Sequence, residues 1–514
     1  MGDDARPNTV VLLFGHFNLH GSAMTGSHFS GSTLALLEVV KLHSGERLQI
    51  AIVGSGPSGF YAAEALLASG LDIQVDMFER LPTPYGLVRS GVAPDHQKLK
   101  QPIRVFEEIA RSPRFNLVAN VTVGGQISVE ELQSAYHAIV FACGAQNDRR
   151  MNVPGEDLKG SHTATEFVGW YNGHPDYRDR TFDLDQEVAV IIGQGNVAAD
   201  ICRILMRPVD ELKSSDIAEH ALEALSRSKV REVHIVGRRG PVQAKFTTKE
   251  LRELASLTGT VSTIEPEQLA LSEACDAELA SPKSAVAKRN LDVFRSLTEN
   301  IADGSRRRIH FRFLASPVAL LGEERVERLR LVRNRLSGAP FDQTAVATEQ
   351  HEDIPCGLAF RSIGYKGVPI PGLPFDAERG VVPNTAGRVH ADGAVVPGLF
   401  VTGWIKRGPS GIIGTNKADS LETVHALLED LSKAAPARAP GLEGVLPIIE
   451  SRSGRVVSLS DWFAIDGAEV ERGSSVGKPR EKFTRIGDML AILPPQGRQE
   501  DLSSAPLLET GTQG

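Results

Sequence analysis

Two glycine turns of one design, at residues 54–59 and 193–198, constrain this chain more than any other feature. The first lies in RLQIAIVGSGPSGFYAAEALLASG, which runs from an apolar strand (Ile50 to Val53) through Gly54, Gly56 and Gly59 into a helix. Ala62, Ala65, Leu66 and Leu67 form the apolar face of that helix. Strand, tight turn and helix in this order are the context in which G-x-G-x-x-G marks a dinucleotide site. Gly54 allows the turn, Gly56 lets backbone reach a pyrophosphate and Gly59 lets the helix pack close to the strand. Free N–H groups at the positive helix end face the anion, and Pro57 sits where a missing N–H costs nothing. The next strand, IQVDMFE, ends in Glu79, where an acid accepts hydrogen bonds from a ribose 2'-hydroxyl. Farther on, YHAIVFACGA ends in small residues that leave room for a ligand beyond a parallel strand.

The second turn, EVAVIIGQGNVAADICRIL, places Gly193, Gly195 and Ala198 after the strand Val188 to Ile192. At its ribose-reading position, after REVHIVG, stand Arg238 and Arg239 instead of an acid. A carboxylate would repel a 2'-phosphate, whereas guanidinium groups pair with it. The pair therefore points to NADP(H). Two such folds in series, only the second tuned for NADP, imply FAD in the first and a diffusing nicotinamide in the second, an arrangement suited to hydride transfer.

The residues carrying these turns also carry a resemblance. From about residue 48 to 430 the chain resembles the adrenodoxin reductase type of ferredoxin-NADP reductase. The likeness rests on IVGSGPSGFYAAEALL, PYGLVRSGVAPDHQ, FVGWYNGHP, VIIGQGNVAADICRIL, VGRRGPVQAKFTTKELREL, SIGYK and GWIKRGPSGIIGTNKADS. It implies FAD contacts at Ser58, Glu79, Leu87, Val123, Trp404, Gly411, Ile412 and Ile413. NADP contacts are implied at Gln194, Gly195, Asn196, Val197, Arg238, Arg239, Glu250 and again Gly411. His96 and Glu250 resemble the polar pair beside the nicotinamide. Hydride transfer itself shuttles no proton, so His96 is expected to orient nicotinamide or tune the flavin rather than act as a base. Trp170 is expected to pack between domains.

The implied fold is α/β, two Rossmann-like domains with parallel sheets, the NADP domain (148–368) inserted into a discontinuous FAD domain (46–147 and 369–435). Residues 1–45 read as a disordered extension or an upstream translation start. Their acidic MGDDARP is the wrong flank for a signal peptide, and their few arginines make a poor transit peptide. Residues 436–514 read as a linker, KAAPARAPGLEGVLP, then a segment with a short closing helix like that of bacterial members, then a disordered tail. A cytoplasmic monomer is expected, with no membrane span because no run of 18 apolar residues appears.

The resemblance also implies a separate ferredoxin-type iron-sulfur partner. The formal charge of −8 argues against nucleic acid, so an acidic partner needs a local basic patch. Lys249, Arg252, Lys288, Arg289 and the run Arg306, Arg307, Arg308 are the available groups, and solvated helix faces are the plain alternative. The four cysteines, Cys143, Cys202, Cys275 and Cys356, form no CxxC pair. Neither a metal site nor disulfide reduction is signalled. Two other functions stay open: an NADPH-dependent quinone or diaphorase-type reductase, and a catalytically idle NADP(H)-binding flavoprotein.

Overall fold

The computed structural model describes residues 47–300, 307–433 and 439–495. The expected N-terminal extension and final tail lie outside the described residues, as does Arg306. Two mostly parallel sheets organise the rest. The first runs, edge to edge, through Asn384–Thr385, Arg388–Ala391, Ala394–Val401, Ala138–Phe141, Leu48–Val53, Ile73–Glu79 and Phe115–Ala119. All neighbours from Ala394–Val401 onward pair in parallel, and the outer ribbon is antiparallel. Leu399 pairs with Ile139 and Val401 with Phe141, so a late strand completes a sheet begun at residue 48. These strands are buried on both faces, which is why they read as near-continuous apolar runs.

The second sheet orders Ser161–Thr163, Leu358–Arg361, Val188–Ile192, Glu232–Val236, Arg307–Arg312 and Thr260–Ile264, every pair parallel. Helices Asn196–Met206, Glu219–Ser226, Thr248–Ala255 and Ala285–Leu297 contribute the core on one face. The other face meets an antiparallel sheet of Ala315–Leu321, Arg328–Ser337 and Thr344–Pro355, through Leu320, Leu329, Leu331 and Ile354. This third sheet had no counterpart in the sequence reading, although RLRLVRNRLS alternates apolar and charged residues as a half-exposed strand should. Where the chain crosses between the parallel sheets, Asn147–Asp148 pairs with Tyr365–Lys366.

Two expectations are corrected. Trp170 is buried, but against Phe167, Phe182 and His220 in the core of the second sheet rather than between domains. The stretch read as a linker runs into helix Leu442–Ser453, because Val445 and Ile449 bury themselves in the first sheet's core and that contact outweighs Pro447 within the helix. Beyond it comes helix Leu459–Ser474, opened by a Ser458 and Asp461 capping box, and the expected short closing helix is Ile486–Ala491. This C-terminal segment straps the two layers together. Trp462 Nε1 donates to the Tyr85 hydroxyl at 3.2 Å and Glu469 accepts from Arg89 at 2.6 Å. On the other side Lys482 meets Asp216 at 3.1 Å and Arg485 meets Asp179 at 2.7 Å.

Among the described residues no helix is long and apolar enough to cross a membrane. All four cysteines are free, three of them buried.

Candidate functional site

At the first turn, helix Pro57–Leu67 lies so close to the strand that a Cβ on Gly59 would stand 2.1 Å from the Gly54 carbonyl oxygen. At Gly56 a Cβ would meet nothing within 4 Å, so this side of the turn is open to a group approaching the backbone. Glu79 is held beside it: its carboxylate accepts from the Ser55 amide at 3.2 Å, the Ser55 hydroxyl at 2.6 Å and the Leu81 amide at 3.0 Å. Leu87, apolar yet 46% exposed, follows Gly86, whose position packs on Gly56. An exposed leucine against a phosphate-type turn fits a crevice wall. At Ser58 and Val123 the side chains meet protein. The buried Ser58 hydroxyl donates to Asn416 Oδ1 at 3.1 Å and its carbonyl accepts from Ser420, so it stitches two helices, and the Val123 side chain belongs to the core.

The loop 408–414, from the far end of the chain, leads into the helix whose Asn416 and Ser420 meet Ser58. Trp404 stacks on Tyr365 with ring centroids 5.7 Å apart and donates from Nε1 to the Ser410 carbonyl at 3.2 Å. Gly411 has φ +85°, and a Cβ there would strike Thr415 Oγ1 at 2.2 Å. Ile412 projects outward at 67% exposure, with Ile413 half-buried. Helix Thr415–Lys433 starts directly after, presenting its positive end. Arg407, which sequence reasoning missed, donates from Nη2 to Asn416 Oδ1 at 2.8 Å. Its buried Nη1 has no partner among the described residues. A buried guanidinium N–H without an acceptor is costly, and an anionic or carbonyl-bearing cofactor beside the loop would satisfy it. The open glycine turn, the held Glu79 and this orphaned donor fit a dinucleotide.

At the second turn, Gln194 folds over Gly237: a Cβ there would fall 1.8 Å from the Gln194 amide carbon, and Gln194 Nε2 donates to the Arg312 carbonyl at 3.3 Å. Asn196 Oδ1 accepts from the Thr247 amide at 2.8 Å. Both side chains thus hold the turn against the loop after residue 236, leaving backbone to meet a ligand. Gly195 is open at its Cβ position, and Val197 packs partly into the core. Arg238 is exposed and Arg239 half-buried. Their carbonyls are tied down by Asn334 Nδ2 at 2.9 Å and the Leu314 amide at 3.1 Å. Neither guanidinium pairs with a carboxylate among the described residues.

Between the turns lies a cluster the sequence reading caught only in part. His96 Nε2 is 2.8 Å from Glu253 Oε2, and His96 Nδ1 is 3.8 Å from Glu250. Glu250 sits in the first turn of helix Thr248–Ala255. Arg203, wholly buried, reaches Asp95, Asp200 and Glu250. Burial pushes the Asp200 carboxyl up to about 6, with the like charges of Asp95 and Glu253 adding to that rise against Arg203's opposing pull. Burial likewise raises Glu250, opposed by His96. Burial would also raise Asp95, but its hydrogen bonds and charge contact with Arg203 hold it below the usual range. Of this network His96 and Glu250 are named in the sequence reading, but Arg203, Asp95 and Asp200 are not. The available signal was Asp200 and Arg203 three apart on the otherwise apolar helix NVAADICRILM. His96, Glu250 and Glu253 could converge on a metal ion, but the guanidinium already among them opposes a second cation. At Glu232, His234 and His310 the arginines Arg308 and Arg312 do the same.

The basic residues proposed for docking divide. Lys249 and Arg252 are exposed on one helix, Lys288 and Arg289 on a helix packed against it. Arg307 and Arg308 instead anchor a strand, donating to the Met206 carbonyl at 3.0 Å and pairing with Glu232.

Residues 48–258 match the family model described as pyridine nucleotide-disulphide oxidoreductase. The NADPH:adrenodoxin oxidoreductase of Salvelinus fontinalis mitochondria is 45% identical, over 86% of this chain and 91% of the relative. The NADPH-ferredoxin reductase FprA of Mycobacterium tuberculosis is also 45% identical, over 86% of this chain and 98% of the relative. The solved structure of that FprA in complex with NADPH superposes with a TM-score of 0.82, at 44% identity, covering 87% of this chain and 99% of that one.

Proposed function

The chain belongs to the family of NADPH:adrenodoxin oxidoreductases and NADPH-ferredoxin reductases, and from that premise we propose that it takes a hydride from NADPH onto FAD and hands single electrons to a separate ferredoxin-type iron-sulfur protein. The observation that carries this reading is the contrast at the two ribose-reading ends. Glu79 is a carboxylate fixed by three donors at the first turn, and the Arg238 and Arg239 guanidinium groups are left without an acid at the second. The first suits a ribose hydroxyl, the second a 2'-phosphate.

In this reading residues 46–147 and 369–435 hold FAD, and 148–368 hold NADPH. Glu79, the backbone around Gly56 and the loop Gly411 to Ile413 would bind the flavin nucleotide, with Arg407 offering its free N–H. The backbone at Gly195 to Val197, with Arg238 and Arg239, would seat NADPH. When bound, FAD supplies the group that accepts a hydride and releases electrons one at a time. His96 and Glu250 would orient the nicotinamide. The packed cationic helices bearing Lys249, Arg252, Lys288 and Arg289 would receive an acidic partner. Cys143 is a free thiol packed against the first sheet's core, and burial pushes it up to about 12, so a dithiol route has neither a pair among the described residues nor a ready thiolate.

The test is an anaerobic spectrum titrated with NADPH and, separately, NADH, followed by a small ferredoxin. Bleaching of a yellow protein by NADPH at far lower concentration, then reoxidation by ferredoxin, is the expected result. Reoxidation by quinone alone would favour the diaphorase reading. A yellow protein that NADPH cannot bleach would favour an idle binder.

A further inference from the structure

We infer that Arg203 is a positioning residue for hydride transfer, holding His96 in the tautomer with Nδ1 bare and Nε2 protonated while tying it to Glu250. The inference rests on the placement of His96 and Glu250 beside the nicotinamide proposed above. Arg203 Nε and Nη2 donate to Asp95 at 2.7 and 3.0 Å, Nη2 also to Asp200 at 2.7 Å, and Nη1 to Glu250 Oε2 at 3.2 Å. Nη2 further lies 3.4 Å from His96 Nδ1. His96 Nε2 lies 2.8 Å from the Glu253 carboxylate, which accepts, so Nε2 carries the ring proton. Nδ1 is left bare toward a guanidinium that carries donors only, sharing the two Nη2 protons that Asp95 and Asp200 also take.

Three elements meet at this one side chain. Asp95 and His96 precede the short helix Gln97–Lys100, Asp200 and Arg203 belong to the second glycine turn's helix, and Glu250 comes from Thr248–Ala255. A purely structural ion pair would be complete with Asp95 and Asp200. The additional contacts to His96 and Glu250 connect the helix that seats the nucleotide to the groups that face its reacting ring. The charged neighbours of His96 are Asp95 on its own segment, Arg203 and Asp200 on the second-turn helix, Glu250 and Glu253 on the third, with Arg207 held to Asp95 at 3.1 Å. Removing the guanidinium leaves an imidazole among carboxylates, where it gains a proton more readily.

The experiment follows flavin bleaching by NADPH in anaerobic single turnovers of the holoenzyme from pH 5.5 to 9. It compares wild type with H96Q, R203K, the double variant R203K/H96Q, and R203M/D95N, which removes opposite buried charges together so that the fold is kept. Lysine keeps the charge but cannot fork. The limiting rate of R203K should fall about tenfold while NADPH dissociation shifts less than about threefold. R203K/H96Q should be no slower than H96Q, and R203M/D95N should show a pH profile shifted from that of wild type. Wild-type rate and pH profile in both Arg203 variants, or additive losses in R203K/H96Q, would overturn the inference alone. An H96Q variant as fast as wild type would sink the placement of His96 and this inference with it.

Discussion

The two glycine turns begin from the same pattern and end in different environments. At the first, no Cβ fits at residue 59, and the turn's helix is bound to Thr415–Lys433 through Ser58, Asn416 and Ser420. A segment from more than 350 residues later thus closes the turn. At the second, Ala198 fills the corresponding position, fully buried, and the turn is held by a nearby loop through Gln194 and Asn196. Arg238 and Arg239 remain outward. The lesson is that one local geometry is pinned from far along the chain at the first turn and by a nearby loop at the second, while the middle glycine stays open at both.

The sharpest way to break this comparison is Gly59→Ala. Its Cβ must displace backbone, so we expect a loss of about 1–3 kcal/mol and a protein purified without yellow colour, read by absorbance and thermal melting. Ala198→Gly at the second turn should cost only about 1 kcal/mol and remain yellow. Equal effects would erase the asymmetry. Next, replacing Arg238 and Arg239 by alanine should weaken NADPH by about 1.5–3 kcal/mol for each charged hydrogen bond lost, and leave NADH nearly unchanged. Steady-state KM values for both nucleotides measure this, and an equal loss for both removes the selectivity claim.

A smaller effect separates the turns by pH. Asp200, on the second turn's helix, has its folded value raised to about 6 against about 4 in an unfolded chain. The folded state then binds the proton more tightly, so its stabilising contribution is full below about pH 4 and is lost as pH rises through about 6. Asp200→Asn should therefore gain on wild type across that window, by about 1–3 °C in Tm. A gap that narrows as pH rises would contradict the assignment. Least of all, Ser58→Ala should cost about 0.5–1.5 kcal/mol and keep its flavin, because the hydroxyl joins helices rather than ligand. Colourless protein would restore Ser58 to the binding set.

Much of the site was legible because its parts are local. Glycines at fixed spacing after an apolar strand, an acid or an arginine pair at the next strand's end, and a glycine loop before a helix each state their geometry within a short window. Glu79 and Gly411 were read from such windows, whereas Leu87 was implied only by the resemblance. The reading failed where a residue's partner is remote. Nothing within NVAADICRILM says that Arg203 meets Asp95, His96 and Glu250, and nothing in SDWFAIDGAEVERGSS says that Glu469 receives Arg89.

By itself, then, the sequence determined the two nucleotide turns, the sign of charge at each ribose end and the parallel sheets beneath, since backbone sterics and burial period act over a few residues. Only the tertiary structure decided which turn is pinned by the distant helix, that the Ser58 and Val123 side chains face protein, and that a buried guanidinium links His96 to the second turn. Those outcomes depend on charges and side chains brought together from far along the chain. There burial in a low dielectric gives each pairing a strength that no local pattern records.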